Sequence, residues 1–248
     1  MGTNDGASRP PRAGALFDAT LRDIEHVNGW LSDAQAQRLW ARASELAAPA
    51  RIVEIGSFQG RSTIVLARAA PDGVEIVAID PHAGNDRGPQ EIDGFVEAAA
   101  NDNVVFNENL DKAGVRDRVR HVRAFSSDAH TEVEDPIDVL YIDGAHRFAP
   151  ARDDIVQWGA RVRDGGTMLI HDSFSSIGVT AAIASTLLTT RDFRYVGRSG
   201  SLTEYRREAP SSAASNALRQ AAQLPWFAKN VVLKALIASK LLKRDWPY

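Results

Sequence analysis

Residues 51–63 read Arg51-Ile52-Val53-Glu54-Ile55-Gly56-Ser57-Phe58-Gln59-Gly60-Arg61-Ser62-Thr63. A short β-branched apolar run stops at one glycine, and a second glycine opens a stretch that is apolar at helical spacing as far as Ala70. This is a strand, a tight turn and a helix. Glycine lets the backbone turn sharply there and come close to a ligand. A phosphate-binding P-loop needs four residues between its glycines and then Lys. Here Ser57, Phe58 and Gln59 intervene and Arg61 follows, and a guanidinium does not replace that ammonium. The Gly-x-Gly-x-x-Gly turn of a dinucleotide site is absent as well.

The same alternation continues outward. Strands are expected at Ile52–Ile55, Val74–Ile79, Val119–Phe125, Val139–Ile142 and Thr167–Ile170. Helices are expected at Gly60–Ala70, Ile92–Asn101, Phe148–Val162 and Ile177–Thr189. Strands alternating with helices build a parallel sheet buried on both faces. Pro150 suits the first turn of its helix, Asp153 and Asp154 favour the N-terminal dipole, and Gly165-Gly166 is expected to end it. Phe193–Gly197 and Leu202–Arg206 flank Arg-Ser-Gly-Ser and read as an antiparallel hairpin. The expected fold class is α/β, a doubly wound sheet with N- and C-terminal helices. Residues 1–14 form a disordered tail, 15–48 a helical segment with Ser32 as an N-cap, 49–207 the ligand-binding domain and 208–248 a helical extension.

Composition limits the partners. The chain has 248 residues, 29 Lys and Arg against 32 Asp and Glu, and no Cys. The absence of a basic excess argues against nucleic acid, and the absence of Cys removes disulfides, thiolate nucleophiles and thiolate-bound metals. No apolar run reaches the roughly 18–20 residues of a membrane span, and the first residues lack a signal-peptide core. A cytoplasmic protein is expected.

The acids are placed tellingly. Glu54, Asp80, Asp143 and Asp172 end, or nearly end, four of the apolar runs. Ligands of an open parallel sheet bind outside those carboxyl ends. A single Asp there can simply cap the next helix; several of them suggest a site. Asp80 lies about 20 residues beyond the glycine turn, where an acid bonds ribose hydroxyls. The ligand therefore looks like a nucleoside whose pyrophosphate, if any, is not recognised.

These residues resemble the class I S-adenosylmethionine-dependent methyltransferases. Val53–Gly60 is similar to the family's first motif, which wraps the methionine portion. Asp80 matches its ribose-binding acid, and Ala124–Asp128 stands in the place of its adenine-contacting loop. The resemblance implies a Rossmann-like, mostly parallel sheet with an antiparallel last strand. It implies cofactor contacts from Glu54, Gly56, Ser57, Gly60, Ser62, Asp80, Ser126, Asp128 and Asp143. A narrower resemblance joins Asp143-Gly-Ala-His146 and His171-Asp172 to the metal-dependent sugar O-methyltransferases of the macrocin and mycinamicin type. There an Asp-x-x-His segment supplies a metal ligand and the general base. An acidic pair after the next strand supplies further ligands. His171 departs from that pattern by replacing the first acid of the pair.

The implied function is methylation of a sugar or oligosaccharide hydroxyl. The metal residues are Asp143, Asp172 and, as a third candidate, His171, which can equally contact substrate or pack beneath the site. Oxygen ligands favour Mg2+; ligation by His171 would make Mn2+ competitive. Histidine is the residue type suited to take a hydroxyl proton near neutral pH, which makes His146 the candidate base. Rival readings are a small phenolic or catechol acceptor, a short-chain oxidoreductase and a non-catalytic nucleotide-binding module. The oxidoreductase lacks support, because none of Tyr141, Tyr195 or Tyr205 has Lys four residues on. In the extension, the apolar residues of 226–242 spread around the helix and Lys side chains interrupt them. That fits a helix packed on the core or across a homodimer, with a basic helix lying on a membrane surface as the alternative.

Overall fold

A computed structural model describes residues 13–83 and 101–239. Two helices, α1 (Ala13–Asp23) and α2 (Asp33–Ser44), lead into the alternating region. There follow β1 (Ala50–Ile55), α3 (Arg61–Ala69), β2 (Val74–Ile79), α4 (Asp102–Lys112) and β3 (Val119–Val122). Then come β4 (Ile137–Ile142), α5 (Phe148–Gln157), β5 (Val162–Ile170) and α6 (Ile177–Thr186). The hairpin β6 (Phe193–Ser199) and β7 (Leu202–Arg207) precedes α7 (Ala213–Ala221) and α8 (Leu224–Ala238). The strands form one sheet in the order β3-β2-β1-β4-β5-β7-β6, with β7 antiparallel to both its neighbours and the first five strands parallel. This is the expected Rossmann-like, doubly wound sheet with an antiparallel end.

The period-2 pattern explains the two layers. Ile52, Ile76, Val139 and Tyr141 face α1, α2, α3 and α4 in one buried cluster. Val53, Ile55, Val77, Ile79, Leu140 and Ile142 face the other way, against Ala151 and Ile155 of α5 and Val179 and Ile183 of α6. Side chains alternate across a strand, so a central strand covered on both faces is apolar throughout. The strand order changes direction between β1 and β4. That is the switch point where the carboxyl ends leave a crevice.

Ser32 caps α2 as expected: it accepts from the Gln35 amide, and the Gln35 side chain returns to the Ser32 amide, a complete capping box. At the open edge, the Asn216 carboxamide of α7 accepts from Tyr195 N at 2.8 Å and donates to Phe193 O at 3.1 Å. It thereby covers polar backbone that β6 would otherwise leave unpaired.

Several expectations need correction. Ala13 and Gly14, read as tail, begin α1, and residues 1–12 lie outside the described ones. The helix read at Ile92–Asn101 falls almost wholly outside them too, whereas α4 was not anticipated. The third strand ends at Val122, short of the expected Phe125, because Ala124 already turns into the loop and its N–H bonds Val122 O. Helix α5 ends at Gln157, followed by a short 3-10 turn at Gly159–Arg161. Gly165 and Gly166 do not end that helix; they lie inside β5. There Gly165 takes φ +71° and a Cβ on Gly166 would stand 2.7 Å from Val162 Cγ1. Helix α6 stops at Thr186, short of Thr189. The extension contains two helices in place of one, and none of the described helices is long and apolar enough to cross a membrane.

Candidate active site

The carboxyl ends of β1, β4 and β5 are tied side by side beyond their last ladder pairs. Asp143 N donates to Ile55 O at 2.8 Å and His171 N to Ile142 O at 2.9 Å. Gly56, at φ +87°, crosses the end of β4 so closely that a Cβ would stand 2.6 Å from Asp143 C and 2.7 Å from Gly144 N. Only glycine meets both demands. The turn closes with Gly60 N donating to Ser57 O at 2.8 Å, and Gly60, at φ +91°, caps α3. The Ser57 hydroxyl is buried and has no hydrogen-bond partner among the described residues. A bare backbone cradle with an unsatisfied hydroxyl beside it suits a polar ligand.

Asp80 stands across this turn. Its carboxylate accepts from Phe58 N at 2.8 Å and from His82 N at 2.7 Å, which joins the ends of β1 and β2. Each carboxylate oxygen has a second lone pair, so Asp80 keeps capacity for ribose hydroxyls. His82 and His121 meet Nε2 to Nε2 at 3.1 Å beside Phe106. Burial lowers the pKa of both rings.

Glu54 and Ser62 face each other beneath the turn. The Glu54 carboxyl is fully buried and accepts from Ser62 Oγ and from Thr63 Oγ1, the latter at 2.5 Å. Burial pushes its pKa up to about 7 against those hydrogen bonds. Glu54 thus ties the end of β1 to the first turn of α3. In the loop after β3, Ser126 also turns inward, its Oγ donating to Asp154 Oδ1 at 2.5 Å. Trp158 Nε1 donates to Ser126 O at 3.3 Å, so α5 holds the loop at two points. Burial raises Asp154 to about 6. Asp128 is exposed and, among the described residues, its carboxylate accepts a single long bond of 3.3 Å, from Ser127 Oγ.

The chemistry-bearing residues converge at β4 and β5. His146 Nε2 lies 2.8 Å from Asp172 Oδ2. His171 Nδ1 lies 3.1 Å from Asp143 Oδ1 and 3.3 Å from Asp172 Oδ2, and Tyr141 donates its hydroxyl to Asp143 Oδ2 at 2.8 Å. Among the described residues, Asp143, His146 and Asp172 form a group whose donor atoms all lie within 4.8 Å of one another. Two hard oxygens and an imidazole at that spacing fit a divalent cation.

His171 is not part of that group. Its ring is buried behind the two carboxylates and its Nε2 has no partner among the described residues. Burial alone would lower its pKa, but Asp143 and then Asp172 outweigh that and raise it to about 10. Burial would raise the Asp172 carboxyl, but the His171 charge and the hydrogen bond from His146 hold it well below the usual range. Tyr141 and Asp154 are the supports that strand and helix periodicity hid. Each reads as an ordinary core or surface position until its partner is known.

Residues 53–173 match the family model of a methyltransferase domain. Among solved structures, the O-methyltransferase NovP is 16% identical, with 79% of this chain and 100% of that one covered and a TM-score of 0.60. The S-adenosylhomocysteine-bound methyltransferase PaMTH1 of Podospora anserina is 18% identical, with 80% and 88% covered and a TM-score of 0.53. The O-methyltransferase TomG of Streptomyces achromogenes, in complex with S-adenosylmethionine, is 21% identical, with 81% and 92% covered and a TM-score of 0.50. At these identities the likeness to the three structures is one of fold.

Proposed function

We propose that the chain is an S-adenosylmethionine-dependent O-methyltransferase whose acceptor is a hydroxyl of a sugar or oligosaccharide, with His146 as general base. The observation that carries this reading is the 2.8 Å contact between His146 and Asp172, at a strand end next to the one that the glycine turn crosses. S-adenosylmethionine would lie over Gly56 and Ser57 with its ribose at Asp80 and its adenine towards the loop at Ser126. With Nε2–H donated to Asp172, the imidazole lone pair is on Nδ1. His146 Nδ1 takes the acceptor proton, while Asp172 fixes the ring and stabilises the imidazolium that forms. The sulfonium carries its own leaving group, so alignment of oxygen, methyl and sulfur accounts for much of the rate. Tyr141 and His171 hold the Asp143 carboxylate in place.

Asp143 and Asp172 are the residues that would hold a divalent cation, with Mg2+ favoured by their oxygens and Mn2+ the alternative. Such an ion would supply Lewis-acid polarisation of the acceptor hydroxyl. His146→Ala should lower turnover by about 10²–10⁴-fold while S-adenosylmethionine binding by calorimetry stays unchanged. Parallel loss of binding would remove His146 from the base role. Activity should vanish in EDTA and return with Mg2+ or Mn2+; full activity in EDTA excludes the cation. Mass spectrometry of products from a panel of saccharides and phenols decides the acceptor class, and methylation of phenols alone would overturn the sugar assignment.

A further inference from the structure

Helix α8 is the last described element of the extension. Its apolar residues form no single stripe, yet at its centre Asn230 is buried to 3% exposure. Asn230 Nδ2 donates to Phe174 O at 3.2 Å, and Lys234 Nζ, one turn on, donates to Ser175 O at 3.1 Å. Residues four apart share a helix face, so α8 grips two successive carbonyls of one loop. That loop, 172–176, joins β5 to α6 and begins with Asp172, the partner of His146.

The loop is strained. Asp172 and Phe174 both take φ +54°, the left-handed region that side chains with a Cβ disfavour. Such conformations persist only where the surroundings over-determine them. On the sheet side the surroundings are β7 and the stretch before it: Ser173 N donates to Ser201 O at 2.9 Å, and Ser173 Oγ meets Thr203 Oγ1 at 2.7 Å. On the other side they are Asn230 and Lys234. Between these anchors the amides of Ser175 and Ser176 turn back to Asp172 O at 3.2 and 2.9 Å. The same loop reaches the base, since Ser176 Oγ donates to His146 O at 3.3 Å.

We infer that α8 is a clamp on the active site, with Asn230 as a positioning residue that holds the 172–176 loop in its left-handed form and so aims the Asp172 carboxylate at His146. This rests on the methyltransferase reading for its kinetic consequence but not for its structural one. A misplacement of about 1 Å in a reacting group can cost on the order of 10²-fold in rate, so partial release of the loop should be visible in kcat. The cofactor turn at Gly56 is on a different strand end and should be unaffected.

The test uses the full chain with Asn230→Leu, which keeps volume and removes the donor, and Lys234→Met, on a less buried residue, in case the first variant fails to fold. Lys234→Arg keeps a donor. Two readouts are taken: amide exchange at Ser175 and Ser176 by NMR, and kcat with KM for S-adenosylmethionine. The clamp predicts at least about tenfold faster exchange in Asn230→Leu and Lys234→Met. It also predicts a kcat loss of about tenfold at unchanged KM, with Lys234→Arg restoring both. Unchanged exchange in the folded variants overturns the clamp. Faster exchange with unchanged kcat overturns the positioning role. Faster exchange in a protein whose wild type methylates no acceptor sustains the clamp and instead overturns the proposed function.

Discussion

Gly56→Ala is the substitution on which the architecture of the site depends most directly. A Cβ at Gly56 would approach Asp143 C to 2.6 Å and Gly144 N to 2.7 Å, and the Asp143 carbonyl oxygen more closely still. All three are backbone atoms of the segment that carries Asp143, so no side chain can rotate away. Alanine at φ +87° also bears the cost of a left-handed backbone, about 1–2 kcal/mol. Forcing a methyl into a filled site adds about 1–3 kcal/mol. Together the loss should be roughly 3 kcal/mol, about two orders of magnitude in the folded-to-unfolded ratio. Gly114 supplies the control: it has φ +67°, but a Cβ there meets nothing within 4 Å. Gly114→Ala should show the backbone cost alone. Urea unfolding of both variants, compared through their midpoints at unchanged slope, separates clash from strain. If Gly56→Ala is no less stable than Gly114→Ala, β1 and β4 do not approach as described and the cradle argument fails.

Glu54→Gln should flatten the pH dependence of stability. The folded pKa of about 7 lies above the unfolded value near 4.5, so the protein is stabilised below that lower value and loses the contribution as pH rises through 7. The difference amounts to about 3 kcal/mol between the two limits. Urea unfolding at pH 5 and pH 8 measures it, and a variant with the wild-type pH slope would rule out a protonated Glu54. Asp80→Ala should weaken S-adenosylmethionine by about 1–3 kcal/mol, roughly 5- to 150-fold, by removing ribose bonds and freeing the amides of Phe58 and His82. Unchanged affinity by calorimetry would contradict the ribose role.

Much of this site was legible in the chain itself. The β-branched runs mark β2 to the residue and the carboxyl ends of β1 and β4, which each begin two residues earlier than read, because strands buried on both faces have no polar side to blur them. Helix α4 was invisible for the opposite reason. In Asp102–Lys112 the apolar stripe is little more than Phe106 and Leu110, and three Asn and two Asp lower its helix propensity. Gly165-Gly166 misled because glycine marks both the end of a helix and an irregular strand, and only the neighbouring ladder tells them apart. In the site, Asp143 and Asp172 announced themselves by their place at strand ends, and His146 only through the likeness of Asp143-Gly-Ala-His146 to an Asp-x-x-His segment. The direction in which Glu54, Ser62 and Ser126 point did not, since it depends on hydroxyl and carboxyl partners that share a face only after folding.

The sequence by itself determined the class of fold, the end of the sheet that holds the site, and the residue types available there, because periodicity and turn chemistry are local properties. Tertiary structure decided which side chains meet. It put His146 on Asp172, set His171 against the carboxylates of Asp143 and Asp172, and laid a helix some 60 residues away over the loop that carries Asp172. Those pairings depend on strand order and on which helix covers which loop. They are long-range contacts, and no local spacing in the chain encodes them.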